Sequence, residues 1–237
     1  MLGDEPRLFA DPSTPERQGI DLVLGDFGHA LEHRPGLVTD RADLVIADPP
    51  WTYSNGGNGS AANHYSTLTT TQIADHMALA WELAAPDAYL ALWCTYPLLA
   101  EWMSQGHRHP WRYLTGGGWV KPGQTGPGFH WRGNAEAVLV YAKGRPAPRG
   151  LVRSGHLEPR NQHSAKPIGW QAEWISGWTG AGDLVLDPYA GIGTVARAAL
   201  GSGRRYVGFE VDADRHQAAR SRVAQALPHP LWRGTFP

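Results

Sequence analysis

Residues 183–222 carry the pattern that most constrains the fold. The segment opens with the apolar run LVL, continues through the glycine-rich turn DPYAGIGT and a stretch of small residues, and ends with a second apolar run, YVGF. This order of strand, turn, helix and strand is the building unit of open α/β sheets. The segment therefore predicts a layered α/β domain with a mostly parallel sheet.

The rest of the chain repeats this alternation of strands and helices. Its 237 residues, 42% of them hydrophobic, are enough for one compact domain with a sizeable core. Seven strands are predicted, at 21–24, 43–47, 88–94, 111–120, 135–141, 183–186 and 206–209. Five helices are predicted, at 70–84, 97–106, 167–176, 194–200 and 212–226. We expect one Rossmann-like domain over residues 21–227, with a flexible N-terminal tail (1–20) and a C-terminal tail (228–237).

The glycine-rich turn and the strand after it predict a nucleoside site. Gly191 and Gly193 let the backbone approach a ligand closely, and Glu210 ends the next strand, where a carboxylate can hold two ribose hydroxyls. The turn lacks the third glycine of a dinucleotide fingerprint and has no GK[ST], so it is poorly made for phosphates. S-adenosylmethionine, an adenosine without phosphate, fits better, with Asp187 and Glu210 facing its ribose and its cationic methionine end. A glycine turn kept only for packing is the alternative.

A second signal is the tetrad Asp48, Pro49, Pro50 and Trp51, directly after the apolar run DLVIA. Two prolines make a rigid turn with few backbone donors, so the groups it offers are acceptors. A carboxylate and a proline carbonyl can take both hydrogens of an exocyclic amine, and the adjacent indole can stack on the ring that carries the amine. A plain strand terminator with a capping aspartate is the alternative interpretation.

Charge is distributed unevenly along the chain. Residues 1–107 hold 4 Lys and Arg against 14 Asp and Glu, whereas residues 108–170 hold 10 against 2, interleaved with aromatic residues. This composition is typical of a surface that contacts phosphates and stacks on bases, although a solvated basic face would look the same. Three loops rich in Gly, Pro, Asn and Ser, at 52–66, 121–133 and 144–165, are expected to face the substrate. The predicted substrate contacts are Tyr53, Asn55, His64, Lys121, Arg132, Lys143, Arg145 and Arg149.

Several residue types are expected to have structural roles. Cys94 lies in the apolar run YLALWC and is interpreted as a buried hydrophobe. Trp170, Trp174 and Trp178 recur every four residues, as on a helix face packed against the sheet. The 11 histidines are scattered, so no metal site is predicted. No apolar run is long enough to cross a bilayer and the N-terminus is acidic, which predicts a soluble, cytoplasmic protein without membrane contact.

The order of the motifs, with the DPPW tetrad ahead of DPYAGIGT, resembles the permuted β-class amino-methyltransferases. Several stretches over residues 21–223 resemble the DPPW-type adenine-N6 methyltransferases more narrowly: DPPWTYSNGGNGSAANHY, LALWCTYPLL, GGGWVKPGQTGPGFHWRGNAEAVLVYAKGRP and HSAKP. The resemblance implies a circularly permuted methyltransferase domain that uses S-adenosylmethionine. It implies that Asp48, Pro49 and Trp51 hold the target base. It also implies cofactor contacts by Asp26, His163, Lys166, Tyr189, Gly191, Gly193, Thr194 and Glu210.

The intact glycine turn is like that of bacterial DNA enzymes, which favours a DNA substrate in a bacterium or a phage-infected host. The expected reaction is methylation of the N6 amine of adenine, either flipped out of a duplex or in a single strand. In a duplex, Trp51 or Tyr53 would hold the flipped base. Cytosine-N4 methylation, RNA adenine methylation and a catalytically silent nucleic-acid-binding subunit remain alternatives, and the sequence is compatible with a homodimer.

Overall fold

A computed structural model describes residues 19–52, 66–123, 133–159 and 165–226 of the chain. Eight strands form one sheet in the order β1-β8-β7-β2-β3-β5-β4-β6. The strands are β1 (Ile20–Leu24), β2 (Ala42–Ala47), β3 (Ala84–Cys94), β4 (Arg112–Val120), β5 (Ala135–Lys143), β6 (Gly155–Leu157), β7 (Leu184–Asp187) and β8 (Arg205–Glu210). Five neighbouring pairs are parallel, while β5 runs antiparallel to both β3 and β4.

The α-helices cover both faces of the sheet. They are α1 (Ala30–His33), α2 (Thr70–Leu83), α3 (Tyr96–Ser104), α4 (Ile168–Trp178), α5 (Thr194–Gly201) and α6 (Ala213–Gln225). Alternate residues of β2 point to opposite sides, with Val45 in the core under α2 and α3 and Leu44 in the core under α4 to α6. A strand buried on both faces must be apolar at successive positions, which explains the run LVIA.

The predicted α/β class and the seven predicted strands are confirmed, but the sheet has an eighth strand. β6 lies in the segment 144–165, which we expected to be a loop, and it pairs with the end of β4 through Gly118 and Gly155. Its three residues, Gly-His-Leu, are too few to show an alternating pattern. Short helical turns at Phe27–His29, Ala30–His33 and Pro35–Val38 are also additional to the prediction.

The aromatic residues of α4 pack as the sequence predicts. Trp170 and Trp174 are 1% exposed, and both contact Trp93 on β3 with ring centroids 5.7 and 5.4 Å apart. Cys94 is buried, and burial raises the pKa of its thiol to about 12, which keeps it protonated. Trp170, Trp174 and Cys94 therefore belong to the core.

Helix α2 connects to β3 with no loop between them, since the helix ends at Leu83 and the strand begins at Ala84. Lys143 donates hydrogen bonds to the Trp81 carbonyl at 2.6 Å and the Ala84 carbonyl at 2.9 Å. The Trp81 carbonyl also accepts the Ala84 amide, so Lys143 reinforces the C-terminal cap of α2. In the part of the chain that is described, no helix has the length and apolarity needed to cross a membrane.

The glycine turn packs directly against α6. Gly193 has φ +79°, and a Cβ at this position would lie 3.1 Å from the Cβ of Ala219. Gly203 has a similar φ of +69° but no neighbouring atom within 4 Å of a Cβ. A substitution at Gly203 therefore tests backbone strain alone, whereas one at Gly193 tests backbone strain together with steric contact.

Gly203→Ala should lower the free energy of unfolding by roughly 1–2 kcal/mol, the cost of a left-handed backbone at a residue with a Cβ. Gly193→Ala should lower it further, by roughly 1–3 kcal/mol more, because α6 must also move. Urea unfolding of the two variants and the parent measures both terms. Equal losses in the two variants would show that the packing of Ala219 on the turn is unimportant.

Candidate active site

Four carboxylates lie in a row along one edge of the sheet. Strands β1, β8, β7 and β2 are parallel neighbours, so their carboxyl ends meet, and they carry Asp26, Glu210, Asp187 and Asp48 in that order. Chain connections leave in opposite directions between β7 and β2, and ligands of open α/β sheets bind at such a point. The structure therefore brings together four residues that the sequence predicted for one site.

Glu210 ties the glycine turn to the start of α6. Its Oε2 accepts a hydrogen bond from the Gly191 amide at 2.8 Å, and its Oε1 accepts one from the Asp212 amide at 2.9 Å. Burial raises the pKa of Glu210, and the two amides act in the opposite direction. Each carboxylate oxygen can accept more than one hydrogen bond, so the group is still able to receive hydroxyl donors.

Asp187 is the most buried of the four carboxyl groups, with 1% of its surface exposed. The Tyr189 amide and the Tyr206 hydroxyl each donate to it at 3.0 Å. Burial raises the pKa of Asp187 to about 7, and the hydrogen bonds only partly offset this. A nearby cation would favour the ionised form.

Asp26 belongs to a cluster that includes a residue the sequence did not indicate. Its Oδ1 accepts the Gly28 amide at 2.6 Å and lies 3.7 Å from Nε2 of His76 on α2. Nδ1 of His76 lies 2.9 Å from the Tyr189 hydroxyl, and the two rings stack with centroids 5.9 Å apart. Burial lowers the pKa of His76, so the imidazole is neutral near pH 7. One histidine in a helix gave no signal because its partners are remote in the chain.

Asp48 heads a chain of four alternating charges. Lys166 Nζ lies 2.6 Å from Asp48 Oδ2 and 3.2 Å from Glu136 Oε2, and Lys121 Nζ lies 2.6 Å from Glu136 Oε1. We call this set the charge network: Asp48, Lys166, Glu136 and Lys121. Glu136 is the one member of the charge network that the sequence analysis missed. The available signal was a lone acid in the otherwise apolar strand AEAVLVYA.

Burial and neighbouring charges shift the pKa values of the charge network in different directions. Burial raises the pKa of Asp48, and Glu136 adds to this while Lys166 opposes it. Burial opposes the charges of Glu136 and Lys166 as well, but their partners outweigh it. The pKa of Glu136 is therefore lowered by Lys166 and Lys121, and that of Lys166 is raised by Asp48 and Glu136. Glu136 is thus the more firmly ionised of the two carboxylates.

The turn after Asp48 is anchored in the core. Trp51 is 5% exposed, donates its indole N–H to the Trp93 carbonyl at 3.2 Å, and packs against Trp102 in a T-shaped pair. The Pro49 carbonyl accepts the Trp51 amide at 2.9 Å, and the Pro50 carbonyl accepts the Leu68 amide at 2.7 Å. These contacts make the turn rigid. Stacking of Trp51 on a base remains a prediction.

The expected placement of three basic residues beside this edge is wrong. Lys143, Arg145 and Arg149 lie at the opposite edge, because β5 is antiparallel and its last residue pairs with Ala88 near the start of β3. Lys143 caps α2, the Arg145 amide donates to Asp87, and the Arg149 guanidinium lies 3.7 Å from Asp183. Lys121, a fourth predicted basic contact, does lie at the carboxylate edge, where it pairs with Glu136 in the charge network.

Five other predicted site residues fall outside the described residues: Tyr53, Asn55, His64, Arg132 and His163. The expected substrate loops 52–66 and 121–133 begin at the carboxylate edge, at Thr52 and Lys121. Among the described side chains, no group of three or more His, Cys, Asp or Glu is arranged to hold a metal ion.

The edge near Glu210 has the chemistry of a nucleoside site. Gly191 has φ +53°, and a Cβ there would meet only the Tyr189 carbonyl oxygen, at 4.0 Å. Leu24 and Val211 flank Glu210 in register and in sequence, and they are 49% and 56% exposed. Apolar side chains beside a carboxylate can cover a flat ring while the carboxylate accepts from hydroxyls. Asp187 makes the neighbouring space favourable for a cationic group. Thr194 begins α5 immediately after the turn.

Comparisons with known proteins point to one family. Residues 151–221 match a family model described as DNA methylase, N6_N4_Mtase. YubD of Escherichia coli (strain K12) is 38% identical over 97 residues, which cover 38% of this chain and 41% of YubD. The type II methyltransferase M.MunI of Mycoplasma sp is 30% identical over 158 residues, covering 56% of this chain and 66% of M.MunI. The DNA adenine methyltransferase YhdJ of Escherichia coli (strain K12) is 30% identical over 94 residues, covering 35% of this chain and 32% of YhdJ. The chain thus matches less than two thirds of the length of each of these relatives.

Solved structures resemble the whole domain. The M1.HpyAVI–SAM complex superposes with a TM-score of 0.66 at 19% identity, over 86% of this chain and 99% of that one. The cytosine-N4-specific PvuII DNA methyltransferase superposes with a TM-score of 0.66 at 12% identity, over 87% of this chain and 90% of the other. The chain therefore has the methyltransferase fold, and a third of its length carries the sequence pattern of the DNA methylases.

The raised pKa of Asp187 makes a prediction about stability. The folded protein holds this proton more tightly than the unfolded chain, so stability is lost as pH rises from about 4 towards 7 and above. Asp187→Asn removes the buried charge and should raise the free energy of unfolding at pH 8 by on the order of 2–4 kcal/mol, with the gain vanishing near pH 4. Urea unfolding of ligand-free protein across this range checks it. A gain independent of pH would contradict the assignment to Asp187.

Proposed function

We propose that this protein transfers a methyl group from S-adenosylmethionine to the N6 amine of adenine in DNA. The observation that carries the proposal is the position of Asp48, a partly exposed carboxylate on a rigid proline turn. It lies beside the Asp187 and Glu210 carboxylates, at the point where the chain connections leave the sheet in opposite directions. The match to the DNA methylase model and the likeness to YhdJ, which is named a DNA adenine methyltransferase, support the same reaction.

The residues around the glycine turn fit the proposed cofactor. Glu210 would accept from the ribose hydroxyls, Asp26 would meet the adenine, and Leu24 and Val211 would cover the ring. Asp187 would face the cationic end, and Lys166 would approach its carboxylate. When bound, S-adenosylmethionine supplies a methyl group on a positively charged sulfur, which an amine can attack.

Asp48 and the Pro49 carbonyl would act on the acceptor amine. An aromatic amine is a weak nucleophile because its lone pair is delocalised into the ring. Hydrogen bonds from the amine to these acceptors favour a pyramidal nitrogen and stabilise the positive charge that develops on it. Because Trp51 and the proline turn are fixed in the core, the acceptors are held in place before the substrate arrives. The alkylated amine is acidic enough to lose its proton without a strong base.

Cytosine-N4 methylation is the second candidate, because the same acceptors would serve any exocyclic amine and the cytosine-specific PvuII enzyme shares the fold. The test is expression in a host whose own DNA carries neither modified base, followed by digestion of the DNA and mass spectrometry of the nucleosides. We expect N6-methyladenine. N4-methylcytosine would assign the second candidate, and a modified base found in RNA alone would exclude DNA.

Asp48→Ala should reduce methyl transfer to host DNA by a factor of about 100 or more, because an interaction that strengthens in the transition state is lost. Its affinity for S-adenosylhomocysteine, measured by calorimetry, should stay within about tenfold. Asp75→Ala is the control, since Asp75 is an exposed acid on α2 that pairs with Arg108. Full turnover by the Asp48 variant would exclude the mechanism.

Glu210→Gln keeps the size of the side chain but removes its charge. We expect affinity for S-adenosylhomocysteine to fall by about tenfold to a hundredfold, which corresponds to losing 1.5–3 kcal/mol for a hydrogen bond to a charged group. A thermal melt of the variant shows whether the Gly191 turn is intact. Unchanged affinity in a folded variant would place the ribose elsewhere.

A further inference from the structure

Lys166 stands between two carboxylates that differ in their surroundings. Asp48 has 39% of its side chain exposed, and Glu136 has 20%. The lysine is itself 13% exposed, and its Nζ lies 5.2 Å from the centre of the Trp93 ring. A cation over an aromatic face gains stabilisation that does not depend on which carboxylate it approaches. The ammonium therefore has two anionic partners within reach and a favourable surface beneath it.

The position of Lys166 conflicts with the task proposed for Asp48. A lysine ammonium carries only donors, and it occupies Oδ2 of Asp48 at 2.6 Å. An acceptor amine would donate to the same carboxylate. The carboxylate can accept from both donors, but an ammonium 2.6 Å from Oδ2 offsets its charge and makes it a weaker acceptor for the amine.

Glu136 offers the lysine another partner without leaving a buried charge unpaired. Lys121 holds the other oxygen of Glu136 at 2.6 Å, and its Nζ lies 5.1 Å from the Trp119 ring. Two carboxylates and two ammonium groups make the charge network neutral. With an amine donating to Asp48 and the lysine on Glu136, each carboxylate of the charge network would keep a hydrogen-bond donor, which matters because a buried charge without one is costly.

We propose that Glu136 and Lys121 are positioning residues that draw Lys166 away from Asp48 when the acceptor amine binds. Glu136 is the second counter-ion of the lysine, and Lys121 fixes Glu136 and sets how strongly it attracts Lys166. The network thereby makes the Asp48 carboxylate a stronger acceptor when a base is in place. This inference rests on the proposed role of Asp48 as the acceptor of that amine.

Glu136→Gln tests the proposal. With its second counter-ion removed, Lys166 stays on Asp48, so kcat for methyl transfer to unmethylated genomic DNA should fall at least tenfold. Affinity for S-adenosylhomocysteine, whose carboxylate Lys166 would approach, should change by a smaller factor than kcat. Glu173→Gln is the matched control. Glu173 lies on α4 outside the charge network, is 19% exposed, and pairs with Arg153 at 2.6 Å. We expect the control to keep the parent kcat.

The acid side of the pH–rate profile separates positioning from a general loss of structure. Glu136→Gln removes a negative charge near Asp48, so the acidic limb should move to lower pH by about half a unit. Lys121→Met removes a positive charge and should move it to higher pH. Asp187, the other carboxyl group electrostatically coupled to Asp48, is the same in both variants. A carbon-13 NMR titration of the Asp48 carboxyl, assigned with Asp48→Asn, should give the same two shifts without turnover.

Two results would overturn the inference: a kcat for Glu136→Gln equal to that of Glu173→Gln, or an Asp48 titration unmoved in both variants. If Glu136→Gln does not fold, the shift of the acidic limb and of the Asp48 titration in Lys121→Met tests the proposal instead. The proposed function fails separately, since it is excluded by an active Asp48→Ala. An inactive Asp48→Ala with an unaffected Glu136→Gln would reject the positioning role alone.

Discussion

The pairing of β2 with β7 is the constraint on which the site depends. These strands are distant in sequence, yet their parallel register places Val45 beside Leu186 and so brings the ends of both strands to one edge. From this junction, β3 extends the sheet in one direction and β8 extends it in the other. A shift of one residue would turn Asp187 from the buried position where Tyr206 binds it to the opposite face.

Much of this arrangement could be predicted because apolar runs and polar ends are local in the sequence. The strands, the glycine turn, and the placement of Asp48, Asp187 and Glu210 at strand ends all follow from patterns a few residues long. The direction of a strand does not follow from such short patterns. The sequence of β5 reads the same whether it is parallel or antiparallel, and its reversal carries Lys143 to the far edge while it brings Glu136 into the site. His76 was missed for a related reason, since its partners Asp26 and Tyr189 come from segments far from α2.

Carboxyl groups dominate the electrostatics of the edge, and only part of their charge is balanced by the described residues. Lys166 and Lys121 compensate Asp48 and Glu136, but the donors to Asp187 among the described residues are neutral, the Tyr189 amide and the Tyr206 hydroxyl. A carboxyl group in such a place is costly to ionise and recovers part of that cost when a cation binds. The same feature that reduces stability near neutral pH thus favours a positively charged ligand over a neutral one.

The direct passage from α2 into β3 has a consequence for how proteins of this kind can diverge in length. Leu83 ends the helix, Ala84 begins the strand, and Lys143 binds the carbonyls on both sides, so an extra residue could be absorbed only at the register irregularity between Ala84 and Tyr89. An inserted residue not absorbed there would exchange the two buried faces of β3, moving Trp93 and Leu92 to the wrong cores. Insertions and deletions should therefore accumulate at other connections, and this joint should keep a constant length in homologues even where its residues change.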